Sequence, residues 1–284
     1  MIQPKSRKIR IAASFRTNFT GDFLGPMGQK SIPRSLRRTR NHWERLASID
    51  PFWAILTDPN KKNGGWDKDA FFQSGVETVD DEISRLCARF DDVGRSRVLD
   101  FGCGVGRLSL GLSRHFDHVT GVDISARMID LAGDFNCHPE KVEYVHSPCS
   151  DLRLFGNDHF DLVFSLITLQ HMNRRHACRY LAEFVRVTKP GGYILFQMPS
   201  RRLPEKSFRL RWRRRILRSI EWVNRKLLVD RRPHFEMHMV SESTIRQVLT
   251  GAGATVIDAT RNSGSGERYL SMGYLARKEG GGRS

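Results

Sequence analysis

Two features of the chain have the residue types and spacing to hold a nucleoside. The first is Asp100-Phe101-Gly102-Cys103-Gly104-Val105-Gly106, which closes a short apolar run. Glycines at alternate positions let the backbone turn sharply and let a ligand touch it, because no Cβ intervenes. The second is Asp123, which ends another apolar run 17 residues after Gly106. A carboxylate there can accept hydrogen bonds from both hydroxyls of a ribose. Each feature alone is an ordinary glycine-rich turn or surface acid; the pair at this spacing is specific. Dinucleotide sites use G-x-G-x-x-G to seat a pyrophosphate at a helix N-terminus. Here the spacing is G-x-G-x-G, which suits a ligand with no phosphate and an amino-acid end.

Other residues could carry chemistry around such a ligand. His171, in Ser165-Leu166-Ile167-Thr168-Leu169-Gln170-His171-Met172, has a near-neutral pKa that suits removing a proton from an attacking hydroxyl. The alternative is that it packs or hydrogen-bonds beside the ligand. His234, Glu236 and His238 could begin a metal site, but no further ligand joins them at suitable spacing, so no metal is expected. The five cysteines are odd in number and form no C-x-x-C, which suggests neither a disulfide framework nor a zinc ribbon.

The elements that must position these residues alternate. Apolar runs at 97–101, 118–123, 142–147, 160–167 and 193–199 read as strands. Helical patterns lie at 105–116, 125–135 and 173–188, with Ser125 a candidate N-cap. Strands alternating with helices imply a parallel sheet covered on both faces. A helix at 241–250 and two strands, 255–262 and 268–277, complete the pattern. Upstream, 67–90 reads as a helix, preceded by an aromatic stretch from Trp43 to Leu56.

Val98-Leu99-Asp100-Phe101-Gly102-Cys103-Gly104-Val105-Gly106 resembles motif I of class I S-adenosylmethionine-dependent methyltransferases. Gly121-Val122-Asp123-Ile124-Ser125, with Met128 behind it, resembles motif II. Phe160–Ser165 is similar to the fourth-strand motif, and Lys189-Pro190-Gly191-Gly192-Tyr193 to the turn into strand five. The likeness covers about residues 67–199 and resumes at 236–278. The segment from Trp43 to Gly75 is similar to the N-terminal region of a bacterial group within that family, the type 11/12-like methyltransferases. The resemblance implies an α/β, Rossmann-like doubly wound sheet of order 3-2-1-4-5-7-6, with the seventh strand antiparallel. It also implies S-adenosylmethionine as cofactor. Contacts are expected from Asp100, Gly102, Cys103, Gly104, Gly106, Asp123, Ile124, Met128, Cys149, Ser150 and Ser165, with His171 as candidate catalytic residue. One departure stands out: Pro148 occupies the place after strand three where relatives carry an Asp for the adenine amino group. Backbone at Cys149 or Ser150, or the Asp151 side chain, could replace it. Pro148-Cys149 also mimics the nucleophile of cytosine-C5 methyltransferases, but it follows the wrong strand.

The charge of +16 is uneven. Residues 1–40 carry +9 and residues 201–232 carry +10, leaving the remainder slightly acidic. The chain is expected to comprise a flexible basic arm (1–40), a helical N-terminal cap (41–90), the methyltransferase domain (91–278) and a tail (279–284). Within 201–235, Phe208, Trp212, Ile216 and Ile220 fall on one helical face, and Arg211, Arg214, Arg215 and Arg218 on the other. Such a helix over 204–229 suits a lid on the cleft or an anionic membrane surface; nucleic acid is less favoured. No apolar run spans a bilayer and no secretory signal is evident, so a cytoplasmic protein, peripheral at the membrane at most, is expected. The expected reaction is methyl transfer to a small-molecule, sugar or lipid-linked acceptor, on oxygen. The alternatives are an RNA methyltransferase and a non-catalytic cofactor-binding module.

Overall fold

The computed structural model describes residues 33–204, 236–262, 264–266 and 268–280. The arm's first 32 residues, and all of the 204–229 helix expected from the sequence except Pro204, lie outside the described residues. Helix α1 spans Arg34–Ile49 and therefore takes in the last residues of the stretch read as an arm. Pro51 starts the short α2 (Pro51–Ile55), where a missing N–H costs nothing. Helix α3 (Lys68–Cys87) follows.

The alternating segment then runs β1 (Arg97–Phe101), α4 (Arg107–Leu112), β2 (His118–Asp123), α5 (Ala126–Asp134), β3 (Val142–His146), β4 (Phe160–Ser165), α6 (Arg174–Val187) and β5 (Thr188–Arg202). Helix α7 (Glu242–Gly251), β6 (Ala254–Asn262) and β7 (Tyr269–Lys278) close the described chain. Side-chain oxygens of Asp67, Ser125, Asn173 and Ser241 cap α3, α5, α6 and α7, each satisfying an N–H the helix cannot. Strand β5 is longer than the sequence suggests. Its first residue already pairs with Phe160, and a bulge absorbs the glycine turn before the regular register resumes at Tyr193.

Among the described residues the strands form one seven-stranded sheet of order β3-β2-β1-β4-β5-β7-β6. The first five are parallel, and β7 runs antiparallel between β5 and β6. This is the Rossmann-like order that the resemblance implied. Val79, Ile83 and Leu86 of α3 and Leu108 and Leu112 of α4 pack on one sheet face. Tyr180, Leu181 and Phe184 of α6 and Ile245 and Leu249 of α7 pack on the other. The strand order reverses between β1 and β4, which opens a crevice at their carboxyl ends.

The N-terminal cap adds a third cluster. Leu46, Ala47 and Ala54 meet Phe71, Val105 and Met128. Glu44 of α1 accepts hydrogen bonds from Ala126 N (2.7 Å) and Arg127 N (3.2 Å). Those N–H groups open α5 and have no partner inside the helix. A helix from the start of the chain is thereby fixed beside the end of β2. No helix among the described residues is long and apolar enough to cross a membrane.

Candidate active site

The crevice holds a cleft of about 750 Å³, a volume that includes the solvent-filled space of its open mouth. One wall is the β1 and β2 ends: Gly102, Gly104, Asp123, Ile124 and Met128. The other is Leu166–Thr168, His171 and Met172 after β4, with Thr39, Trp43 and Ile55 from the cap and Tyr180 from α6.

The first wall is mainly backbone geometry. Gly102 (φ 79°) and Gly104 (φ 56°) take left-handed conformations. A Cβ on Gly102 would collide with Thr168, and one on Gly104 would lie 2.6 Å from Ile55 Cδ1. Both clashes come from elements that close over the loop. Asp123 holds the loop in place, its carboxylate accepting from Gly104 N (3.1 Å) and Ser125 N (2.8 Å). Burial raises its pKa, and the backbone N–H groups oppose that shift. Behind the loop, Asp100 is 1% exposed and accepts from Ser109 Oγ at 2.6 Å. Burial pushes it up to about 6. Ser165 Oγ donates to Phe101 O at 3.0 Å, closing β4 onto β1.

Of the residues proposed from sequence, Gly102, Gly104, Asp123, Ile124, Met128 and His171 come together on the cleft wall. Asp100, Cys103, Gly106, Cys149, Ser150 and Ser165 are not among the residues that line the cleft. Cys103 is buried, and its thiol is pushed well up by that burial. Gly106 takes its left-handed turn over the Tyr144 hydroxyl. The Cys149 carbonyl is occupied by Tyr180 Oη at 2.5 Å. Asp151 is likewise engaged, by Arg153 (2.8 Å to Nε) and Arg179 (2.9 Å), and these partners, Arg153 first, hold its carboxyl below the usual range.

His171 sits in a 3-10 turn, Leu169–His171. Its Nδ1 lies 3.0 Å from Glu236 O. A carbonyl only accepts, so Nδ1 carries the proton and Nε2 is the accepting nitrogen. The Gln170 amide nitrogen stands 3.3 Å from that Nε2. Trp43 meets the ring edge-on at 5.2 Å. Burial lowers the imidazole pKa to about 4, so it is neutral at physiological pH. Glu236 and His238 approach to 3.7 Å; His234 lies outside the described residues.

Next to this turn, Ile167 has φ 60°, which is costly for a β-branched residue. It is held by a hydrogen bond from its N–H to Gln197 Oε1 at 3.0 Å. The Gln197 amide in turn donates to Ser265 and Ser271, at 2.9 and 2.7 Å. Nothing in the local sequence signals that network, because its members lie on β5, β7 and the connection before β7. The cap residues Thr39, Trp43 and Ile55 were likewise missed as cleft-lining groups. Their aromatic and apolar composition marked a buried segment but not what it covers.

A model of the methyltransferase domain family matches residues 99–196, the stretch that carries the glycine loop, Asp123 and the His171 turn. Residues 99–196 form a methyltransferase domain, set on the class I strand order. An O-methyltransferase, rstn1, of Aspergillus nomiae is 29% identical over 153 residues, covering 51% of this chain and 66% of that one. The ubiquinone biosynthesis O-methyltransferase of Coxiella burnetii is 27% identical over 189 residues, covering 63% and 75%. Magnesium protoporphyrin IX methyltransferase from Synechocystis PCC 6803, crystallised with bound SAH, superposes with a TM-score of 0.57 at 20% identity, covering 86% of this chain and 99% of that one; this likeness concerns the fold. The methyltransferase therefore uses S-adenosylmethionine. The residues present fit that cofactor: the loop lacks Cβ atoms where they would crowd the cleft, and the Asp123 carboxylate stands beside it at the end of β2.

Proposed function

We propose that the enzyme methylates a hydroxyl on an apolar, aromatic small molecule. The observation that carries this is the contrast in the second wall: a neutral imidazole, His171, set among Trp43, Ile55, Leu166 and Met172. Gly102 and Gly104 would hold the methionine portion of the cofactor, Asp123 its ribose, and Ile124 and Met128 would pack against it. Bound S-adenosylmethionine supplies a methyl group on a positively charged sulfur. The accepting hydroxyl must lose its proton as its oxygen takes that methyl, and we assign that proton to His171 Nε2, which the hydroxyl would reach by displacing the Gln170 amide. The Nδ1 bond to Glu236 O fixes the ring and its tautomer. A base with a pKa of about 4 is weak, so it works best on a hydroxyl that is already acidic. Phenols, at about 10, fit better than sugar hydroxyls. The names of the fungal and bacterial relatives, both O-methyltransferases, support oxygen as the acceptor atom.

The test is a set of incubations with methyl-labelled cofactor. Phenols and catechols, simple sugars, lipid extract and RNA are offered separately. Labelling of the phenolic set, with kcat/KM rising as the phenol becomes more apolar, is the expected result. Label entering only RNA or only sugars would overturn the proposal.

A further inference from the structure

We infer that the Ser147 hydroxyl takes the place of the usual carboxylate and reads the amino edge of the adenine. The inference rests on the assignment of Asp123 to the ribose made above. Ser147 follows β3 directly, and its N–H donates to Asp123 O at 2.9 Å. The ends of β1, β2 and β3 lie side by side in that order. A ligand with its amino-acid end on the β1 loop and its ribose on Asp123 has its base toward β3. Ser147 lines the cleft there. It is only 6% exposed, and its Oγ has no hydrogen-bond partner among the described residues. A hydroxyl held out of water without a partner costs stability, and it is explained where a ligand completes it.

The alternatives nearby are already engaged or turned away. Pro148 has no N–H to offer. The Cys149 carbonyl accepts from Tyr180, and Asp151 is clasped by Arg153 and Arg179. Ser150 does not line the cleft. Ser147 Oγ remains, with a lone pair that can accept from the exocyclic amino group, the one donor on the edge of adenine.

Calorimetry on the full chain tests this with two probes. One is S-adenosylhomocysteine; the other is its analogue whose purine lacks the 6-amino group. Ser147→Ala should bind S-adenosylhomocysteine about tenfold more weakly. It should bind the deaminated analogue within about twofold of wild type, because that ligand has no group for the hydroxyl to meet. The melting temperature of the ligand-free variant should not fall, since no protein partner is lost. Equal weakening of both ligands would mean a structural role and overturn the inference. Unchanged affinity in Ser147→Ala, with strong loss in Asp123→Ala, would overturn the Ser147 assignment alone. Unchanged affinity in both variants would overturn the ribose assignment as well.

Discussion

The two walls of the cleft are built on different principles. The wall at the ends of β1 and β2 is local: a seven-residue loop and one carboxylate, tied by the Gly104 N to Asp123 bond. The opposite wall gathers residues from α1, α2, the turn after β4 and the segment at Glu236. A cofactor shared by a family needs the same contacts each time, and main-chain geometry supplies them. An acceptor that differs between relatives is met by side chains on separate segments, which can change independently. Variants on the two walls should therefore separate cofactor affinity from turnover.

Asp123→Ala should have the largest effect. It removes the carboxylate proposed for the ribose and also releases Gly104 N and Ser125 N. Two charge-assisted hydrogen bonds at about 1.5 kcal/mol each correspond to a loss of cofactor affinity on the order of a hundredfold. Calorimetry with S-adenosylhomocysteine measures it. A loss of less than about threefold would show that this wall does not bind through Asp123.

On the other wall, His171→Gln should lower kcat by about a hundredfold and leave cofactor affinity within about twofold. The pH dependence has a defined sign. Burial depresses the folded pKa to about 4, against about 6.5 for a free histidine. The unfolded chain takes up its proton first, so this group's contribution is intact above about pH 6.5 and is lost as pH falls toward 4. Asp100 acts in the opposite sense. Its folded pKa is raised to about 6, so its contribution is intact below about 3.8 and is lost as pH rises toward 6. His171→Gln should leave the Asp100 trend less opposed, with melting temperature falling less between pH 6.5 and 4 than in wild type. An identical pH–stability curve would refute the lowered pKa of His171.

The same contrast explains what the sequence discloses. The order of the sheet follows from strand–helix alternation and the motifs, because each strand is a short apolar run with its own boundary. The ends of β1 and β2 match the sequence reading residue for residue. The glycine loop and Asp123 are equally plain, since their chemistry lies within one stretch of chain. Ser147 was not visible: a serine beside a proline looks like a turn, and only burial without a partner marks it. Trp43 and Ile55 read as core, because apolar spacing cannot distinguish a side chain that packs on protein from one that lines a cleft. Gln197 is hidden for a further reason: its role depends on Ile167 and Ser271, which tertiary folding alone brings near.

Trp43→Ala sharpens the comparison at a smaller scale. Trp43 lines the acceptor side and touches His171 edge-on. Losing its apolar surface should raise the acceptor KM about tenfold, equivalent to roughly 1.4 kcal/mol of burial. Cofactor affinity should stay within about twofold. Steady-state kinetics with the acceptor varied at saturating cofactor distinguishes this from loss of kcat. If cofactor affinity falls in step with acceptor affinity, the two walls are one unit.

Glu44→Ala should have the smallest effect, and it tests the joint between the walls. Glu44 belongs to α1, which carries Trp43, yet its carboxylate caps the N-terminus of α5 just after Asp123. Removing it leaves two N–H groups without that acceptor and takes a negative charge from a helix N-terminus. The cost should be about 1 kcal/mol, because exposed caps and helix-end charges contribute on that scale. Melting temperature should fall by about 2–4 °C. The kinetic consequence depends on how α1 is held. If the apolar cluster of Leu46, Ala47, Phe71 and Met128 fixes it, acceptor KM should rise by no more than about threefold. Cofactor affinity should then barely change, since Asp123 keeps its own bonds to Gly104 and Ser125. If Glu44 is the main fastening, α1 shifts, Trp43 moves with it, and acceptor KM should approach that of Trp43→Ala. Measuring the two variants and their double mutant decides between these arrangements. Additive effects mean that the packing seats the cap, and a double mutant no worse than Trp43→Ala means that the Glu44 bonds do.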